Sequence, residues 1–376
     1  MPPLSMLIKP VSGRCNLRCR YCFYADEVAL RGGHSFSGAM PVELLERVIR
    51  EGLAQAEGAV TFGFQGGEPI LAGLPFFRAA VEAARRHNSK RLRVDWTIQT
   101  NGTLIDDEWA RFLRGEGFLT GVSLDGVQRI HDINRTDAVG AGTFARVMRG
   151  IESLKKHDAE FNILTVVSAQ SAREPERIYK FFRKNGLNYQ QYIPCLDPLE
   201  ACRGDMAYSL TPERHASFFC ALFDLWHEDV SRGQFVYIRT FENMLNMLRG
   251  YPSEHCGMSG RCAMQTVVEA DGSVYPCDFY ALDRYSLGNF AGDGLPEMLD
   301  HFQQSGFLEK SLRQDEACAG CQFLALCKGG CRRDRDFGGE IRLNYYCEAY
   351  RAFYRHALPR LMRLAEQRRV GSKETK

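Results

Sequence analysis

The chain has 376 residues, 48 of them lysine or arginine against 46 aspartate or glutamate, a formal net charge of +2, so two or three domains fit and no basic excess calls for nucleic acid. No apolar run nears a membrane span, and the opening MPPLSMLIKP lacks a basic stretch followed by a long apolar one, so neither a membrane partner nor a secretory signal is expected. Fourteen cysteines without such a signal point to metal or redox chemistry in a reducing cytoplasm rather than to a disulfide framework.

From Leu7 to about Ile193 short apolar runs alternate with amphipathic segments. Strands are predicted at Met6–Val11, Val60–Phe64, Leu92–Gln99, Leu119–Leu124, Phe161–Val167 and Tyr189–Ile193. Helices are predicted at Pro41–Gln55, Pro75–Arg86, Asp107–Arg114, Thr143–His157 and Glu174–Asn185, with Pro41 and Pro75 in first turns and Thr143 as an N-cap. Strands interleaved with helices in this way imply parallel βα units. A closed eight-stranded barrel needs more units than these, so the fold class expected is α/β, a partial (β/α)6 TIM-like barrel. Sites in such folds gather at the C-terminal strand ends.

The first strand runs straight into Cys15-Asn16-Leu17-Arg18-Cys19-Arg20-Tyr21-Cys22. Cysteines at Cys-x3-Cys-x2-Cys can wrap one tight loop around a single inorganic centre. Three thiolates suit a four-iron cluster whose fourth iron stays open, because cluster irons are normally each held by a cysteine sulfur. An open metal position can take an outside ligand. The plainer alternative is a zinc knuckle with His34 as fourth ligand, although zinc ribbons prefer paired Cys-x2-Cys knuckles. Gly66-Gly67-Glu68-Pro69 follows the second strand, Gln99-Thr100-Asn101-Gly102 ends the third and Ser123-Leu124-Asp125-Gly126 the fourth. Each alone is polar turn chemistry. Together with the cysteine loop they make a shared pocket at one end of the sheet.

Glu200–Tyr251 changes character, with helices near Pro212–Val230 and Phe241–Leu248, and reads as a bridge. Cys256, Cys262, Cys277, Cys318, Cys321, Cys327, Cys331 and Cys347 then crowd the last third. Asp271-Gly272 between two β-prone runs signals a hairpin that folds Cys277 back towards Cys262. Two four-cysteine zinc sites would use the same residues. Cys195, Cys202 and Cys220 are assigned no role, free cysteines being commonly buried small hydrophobes. The charged tail after Glu366 is expected to fray.

Cys-x3-Cys-x2-Cys followed by an aromatic, with GGEP behind the second strand, resembles the radical S-adenosylmethionine (SAM) enzymes. That resemblance implies an open iron chelating the methionine end of SAM, GGEP holding its amino group, and release of a 5′-deoxyadenosyl radical. The later pattern, Cys-x9-Gly-x4-Cys, Cys-x2-Cys-x5-Cys-x3-Cys and a last cysteine, resembles the SPASM domain. It allots Cys256, Cys262, Cys277 and Cys331 to one auxiliary four-iron cluster and Cys318, Cys321, Cys327 and Cys347 to another, so three [4Fe-4S] clusters are expected in all. With every auxiliary iron ligated, those two clusters suit electron carriage.

Nearly the whole chain, to about Arg360, is similar to the anaerobic sulfatase-maturating enzymes. The stretches carrying this are MPPLSMLIKP, CNLRCRYCFY, FGFQGGEP, QTNGTLID, SLDG with HDINR, CLDP, DGSVYPCDFYALD, CKGGCRR and LNYYC. The likeness implies a partner sulfatase chain in which a cysteine or serine, in a Cys-x-Pro-x-Arg or Ser-x-Pro-x-Arg motif, is oxidised to Cα-formylglycine. It implies that Tyr21, Gly67, Ser123, Arg135 and Leu196 contact SAM and that Tyr24 and Gln65 lie beside the peptide. Without it, Arg135 would read as a surface salt bridge. Asp278, pinned beside Cys277 in CDFY, is implied as the general base, where the plain reading is a hairpin-end cap on a backbone amide. The radical would take a Cβ hydrogen and Asp278 the thiol or hydroxyl proton. The second electron would leave through the auxiliary clusters, and a thioaldehyde from cysteine would hydrolyse. A ferredoxin or flavodoxin would supply low-potential electrons.

The organisation expected is a barrel over 1–199, a helical bridge over 200–251, a SPASM-type domain over 252–347 and a helix with charged tail over 348–376. A SPASM peptide maturase making thioether or carbon–carbon cross-links is the nearest rival. A first strand at about residue 6 leaves no room for the leader-binding domain many of those carry. A plain electron carrier would need no substrate pocket.

Overall fold

The computed structural model describes residues 4–31 and 38–371, so His34 lies outside the described residues. Two compact units share the chain. One takes Met1–Leu124, His131–Asn162 and Ala263–Phe307, the other Asp125–Ile130, Ile163–Cys262 and Leu308–Lys376. The strands used below are β1 (Leu4–Ile8), β2 (Ala59–Phe64), β3 (Arg93–Thr100), β4 (Phe118–Ser123), β5 (Phe161–Val167), β6 (Tyr189–Pro194), β7 (Tyr237–Ile238), β8 (Val267–Val268), β9 (Ser273–Tyr275) and β10 (Gly288–Asn289).

In the first unit β1 to β4 pair in parallel and in sequence order. On the far side of β1, β8 joins in parallel with Leu7 opposite Val267, and β9 and β10 follow antiparallel. The Asp271-Gly272 hairpin therefore forms, with φ +88° at Gly272. In the second unit β5, β6 and β7 are parallel. With their helices, β1–β4 in one unit and β5–β6 in the other are the six repeats of the partial (β/α)6 barrel expected.

Side chains along a strand alternate faces, and the alternation sorts this sheet into a dry and a polar side. Met6, Ile8, Phe62, Phe64, Trp96 and Phe118 are buried on one face. Their rings meet, Phe64 to Trp96 at 6.1 Å and Trp96 to Phe118 at 5.5 Å, and pack on Phe77 of the helix Leu74–His87 and Trp109 of the helix Asp107–Gly115. Burying each such ring is worth about 2–3 kcal/mol. By the same alternation Lys9, Gln65, Thr97, Gln99 and Ser123 fall on the opposite face. The second unit has its own core, where Phe223, Phe241 and Phe353 pack at 5.3 and 5.8 Å. His215, sandwiched between the Phe219 and Tyr346 rings at 4.6 and 4.7 Å, is pushed down to about 3 by burial and so stays neutral.

Three local expectations change. Pro41 is extended and caps the helix Val42–Gln55 instead of opening its first turn. Thr143 stands at an N-cap, but its hydroxyl donates to the Arg135 carbonyl at 2.9 Å and meets His131 at 3.0 Å, so it ties two segments together rather than capping. The last helix, Cys347–Gly371, runs past Glu366, where the expected frayed tail was to begin, and the remainder of that tail lies outside the described residues.

Candidate functional site

All fourteen cysteines are free of disulfides, as thiolate ligands must be. The Cys15–Cys22 loop leaves β1 and is held from three sides. Arg18 and Arg20 donate their backbone N–H groups to the carbonyls of Thr136 (2.7 Å) and Asn134 (2.9 Å), flanking Arg135. The Glu68 N–H donates to the Arg14 carbonyl at 2.9 Å. From the end of β3, Asn101 donates to Asn16 at 2.8 Å and to Cys15 Sγ at 3.9 Å, and Asn16 donates to Thr103 at 2.9 Å.

Gly67 explains why GGEP needs its second glycine. Its φ is +55°, and a Cβ there would lie 2.2 Å from the Arg14 carbonyl oxygen and 2.6 Å from that of Ser12. Glu68 is wholly buried. Its carboxylate accepts from Thr100 Oγ1 and the Asn101 N–H, both at 2.7 Å, and from the Ile70 N–H at 3.2 Å, tying the end of β2 to the end of β3. Burial pushes its carboxyl up to about 7 against these donors. Burial likewise pushes the Cys15 thiol up to about 11, with Glu68 and Cys22 adding to the effect against donors from Leu17 and Asn101. A bound iron reverses that preference, since a coordinating thiol is deprotonated outright. Three thiols on one tight loop, with Cys15 and Cys22 in electrostatic reach of each other, fit a cluster with one open iron.

The residues expected around SAM fall in both units. Tyr21 lies under the Arg135 guanidinium, 5.4 Å from carbon to ring centre, and both are buried. Ser123, at the end of β4, accepts from Gln99 Nε2 at 3.2 Å. Leu196 belongs to the second unit, just past β6, with its carbonyl accepting from Cys195 Sγ at 3.8 Å.

Asp278 is 5 % exposed. Gln65 Nε2 donates to its Oδ2 at 2.6 Å, and its own backbone N–H donates to Gln265 Oε1 at 3.0 Å. Lys9 Nζ meets its Oδ1 at 2.6 Å as an ion pair without hydrogen-bond alignment. The same ammonium stands 3.3 Å over the Tyr24 ring. Tyr24 Oη donates to Glu269 at 2.6 Å, and Arg31 pairs with Glu269 at 2.8 Å. Burial and then the Glu269 charge hold the Tyr24 phenol well above its usual value, so it stays a donor. Tyr24, Gln65 and Asp278, far apart in sequence, are thus brought together. Lys9, Glu269 and Arg31, which join them, carry no motif. The one signal available was a lysine directly after an apolar strand and before a cysteine loop.

In the second unit Cys318, Cys321, Cys327 and Cys347 stand within electrostatic reach of one another, and Cys327 is pushed up to about 11 by burial first and then by these neighbours. Cys256, Cys262 and Cys331 form a second group, in which burial raises the Cys331 thiol most. Cys277 lies in the first unit, where the Gln265 N–H donates to the Pro276 carbonyl at 2.9 Å. Thiols in threes and fours, raised by burial first and then by one another and by neighbouring carboxylates such as Asp334 beside Cys331, are a donor set suited to iron–sulfur clusters.

Comparison with known proteins agrees with this chemistry. The Radical SAM superfamily profile matches residues 10–182, and the profile of the SPASM iron–sulfur cluster-binding domain matches residues 256–322. Fold and site therefore define a radical SAM enzyme with a SPASM domain. A cysteine-type anaerobic sulfatase-maturating enzyme of Clostridium perfringens is 46% identical over 97% of this chain and 99% of its own. A serine-type counterpart from Bacteroides thetaiotaomicron is 36% identical over 95% and 90%. The solved structure of native anSMEcpe with bound AdoMet and Cp18Cys peptide superposes with a TM-score of 0.92 at 46% identity, covering 97% of this chain and 99% of that one. Streptococcus suis SuiB, at 17% identity and TM-score 0.63, shares the fold. The chain belongs to the anaerobic sulfatase-maturating enzymes. It is an oxidoreductase that converts a peptidyl cysteine or serine of a sulfatase to formylglycine, and its cofactors are three four-iron clusters and SAM.

Proposed function

We propose that Cys15, Cys19 and Cys22 hold the SAM-cleaving cluster, that Tyr21, Gly67, Ser123, Arg135 and Leu196 hold SAM, and that Asp278 is the base for the sulfatase peptide. The observation that carries this is the 2.6 Å hydrogen bond from Gln65 to Asp278, which joins a residue expected beside the peptide to the expected base across 213 positions of sequence. Bound at Cys15, Cys19 and Cys22, the cluster with SAM would supply radical chemistry at the substrate Cβ–H, and auxiliary clusters held by Cys256, Cys262, Cys277 and Cys331 and by Cys318, Cys321, Cys327 and Cys347 would supply an acceptor for the second electron.

The chain's own residues do the rest. Arg135 offers the planar fork that suits a carboxylate. Gly67 keeps the loop free of side-chain bulk where it crosses Arg14. Asp278 Oδ2, oriented by Gln65, accepts the proton of the substrate thiol or hydroxyl. Loss of the second electron then leaves a thioaldehyde that water hydrolyses, or the aldehyde directly from serine. We take cysteine as the preferred target, on the 46% identity to a cysteine-type relative against 36% to a serine-type one. Fourteen free thiols support a cytoplasmic enzyme fed by a ferredoxin or flavodoxin. Among the described residues no helix is long and apolar enough to cross a membrane.

The test is anaerobic reconstitution with SAM, dithionite and paired Cys-x-Pro-x-Arg and Ser-x-Pro-x-Arg peptides, read by mass spectrometry. Formylglycine from both is expected, with kcat/KM for cysteine higher by about tenfold, the size of a typical one-group discrimination. A cross-linked product of unchanged side-chain count would favour the peptide-maturase reading instead.

A further inference from the structure

A lysine is almost never fully buried unless it is paired, and an isolated ammonium in an apolar setting is very costly. Lys9 is 0 % exposed. Its backbone is fixed by sheet pairing, the N–H donating to the Val268 carbonyl at 2.8 Å. Its stem runs against Gly66, where a Cβ would fall 2.6 Å from Lys9 Cγ and 2.8 Å from Cδ, with Gly66 itself at φ +110°. The first glycine of GGEP therefore leaves room for the lysine as the second leaves room for the cysteine loop. At its tip the ammonium touches Asp278 Oδ1 and the face of Tyr24, a ring whose hydroxyl is already committed to Glu269. Lys9 and Arg31 balance Asp278 and Glu269, so the buried group is neutral as a whole.

We propose that Lys9 is a positioning residue for the oxidation, an ammonium clamped between the Tyr24 ring and Asp278 that fixes the carboxylate so its second oxygen, shared with Gln65, faces the substrate. The inference rests on Asp278 as base. The step it serves is a simple proton transfer: the substrate S–H or O–H bond breaks, an O–H bond forms on Asp278, and the electron pair stays on the substrate sulfur or oxygen. Lys9 holds the other carboxyl oxygen, at 2.6 Å. Removing its charge leaves Asp278 anchored by Gln65 alone and free to turn.

The experiment uses anaerobically reconstituted holoenzyme with SAM and a Cys-x-Pro-x-Arg peptide, and measures formylglycine formed per 5′-deoxyadenosine, kcat and peptide KM. For Lys9→Gln the yield per 5′-deoxyadenosine is expected to fall about 30-fold through kcat, within the range of a misplaced general base, while KM changes by less than about threefold. Lys9→Arg should recover about a third or more of the lost kcat by restoring the charge. In an Asp278→Asn background, Lys9→Gln should cause no further loss, because it acts only through the carboxylate. This last comparison also covers a poorly folding single variant, since the double variant removes both charges of the pair. A further loss there, or a Lys9→Gln effect confined to KM, would overturn the proposal. Full turnover by Asp278→Asn would instead sink the base assignment itself.

Discussion

The two thiol-rich regions differ in what holds them. Cys15 is reached by side chains from other strand ends, Asn101 above all, and its loop is braced by Gly67 and Glu68. Cys318–Cys347 is wrapped in its own turns, Cys321 N–H to the Cys318 carbonyl at 3.1 Å and Cys327 N–H to that of Phe323 at 2.9 Å, with Tyr354 stacked on Phe323 at 5.5 Å. With the ligand sets proposed above, the first arrangement would present a polar, shaped surface beside an incompletely ligated metal, and the second would sheathe a fully ligated one in backbone and rings. The contrast would then separate a place for chemistry on a guest molecule from a place to park an electron.

Removing one thiol from each region is the strongest way to break the comparison. Cys15→Ala should lose about four of about twelve irons and lower 5′-deoxyadenosine formation by at least about 1000-fold. Cys321→Ala should lose about the same iron yet still form 5′-deoxyadenosine while formylglycine collapses. Equal loss of SAM cleavage in both would erase the distinction. Next, Asp278→Asn should lower formylglycine per 5′-deoxyadenosine about 100-fold, as loss of a general base does.

Gly67→Ala should weaken SAM binding about tenfold or more, since the Cβ collides with the Arg14 carbonyl at a positive φ that costs about 1–3 kcal/mol; equilibrium dialysis would read it. Asn101→Ala should slightly speed cluster loss to a chelator, through a net hydrogen-bond loss of about 1 kcal/mol. The smallest effect is in pH dependence. Burial raises Glu68 to about 7, so the folded chain keeps a proton that the unfolded chain sheds nearer 4.5. Its contribution to stability is therefore largest at low pH and declines as pH rises towards and through 7. Glu68→Gln should flatten that part of the Tm–pH profile.

The parallel strands were legible because strands covered by helices read as apolar runs, and Phe161–Val167 is found where the pattern put it. The helix Phe23–Ala29 was not legible, since it starts directly at Cys22 inside a motif read as a loop. The short helix Gln128–Asn134 hid for the same reason, in the polar segment leading to Arg135. The cysteine sites were written in spacing, which survives without any knowledge of tertiary contacts. The environment of Asp278 was not. Lys9 and Glu269 look solvent-seeking in sequence, and only the β1–β8 pairing, which no local pattern announces, makes them buried partners. Tyr24 was expected beside the peptide, and its hydroxyl bond to Glu269 was invisible for the same reason.

The central claim is tested most directly with a sulfatase peptide whose target cysteine carries deuterium at Cβ. Anaerobic turnover should place one deuterium in 5′-deoxyadenosine for each formylglycine made. Formylglycine accumulating with unlabelled 5′-deoxyadenosine would show that the radical is aimed elsewhere, and the account would fail.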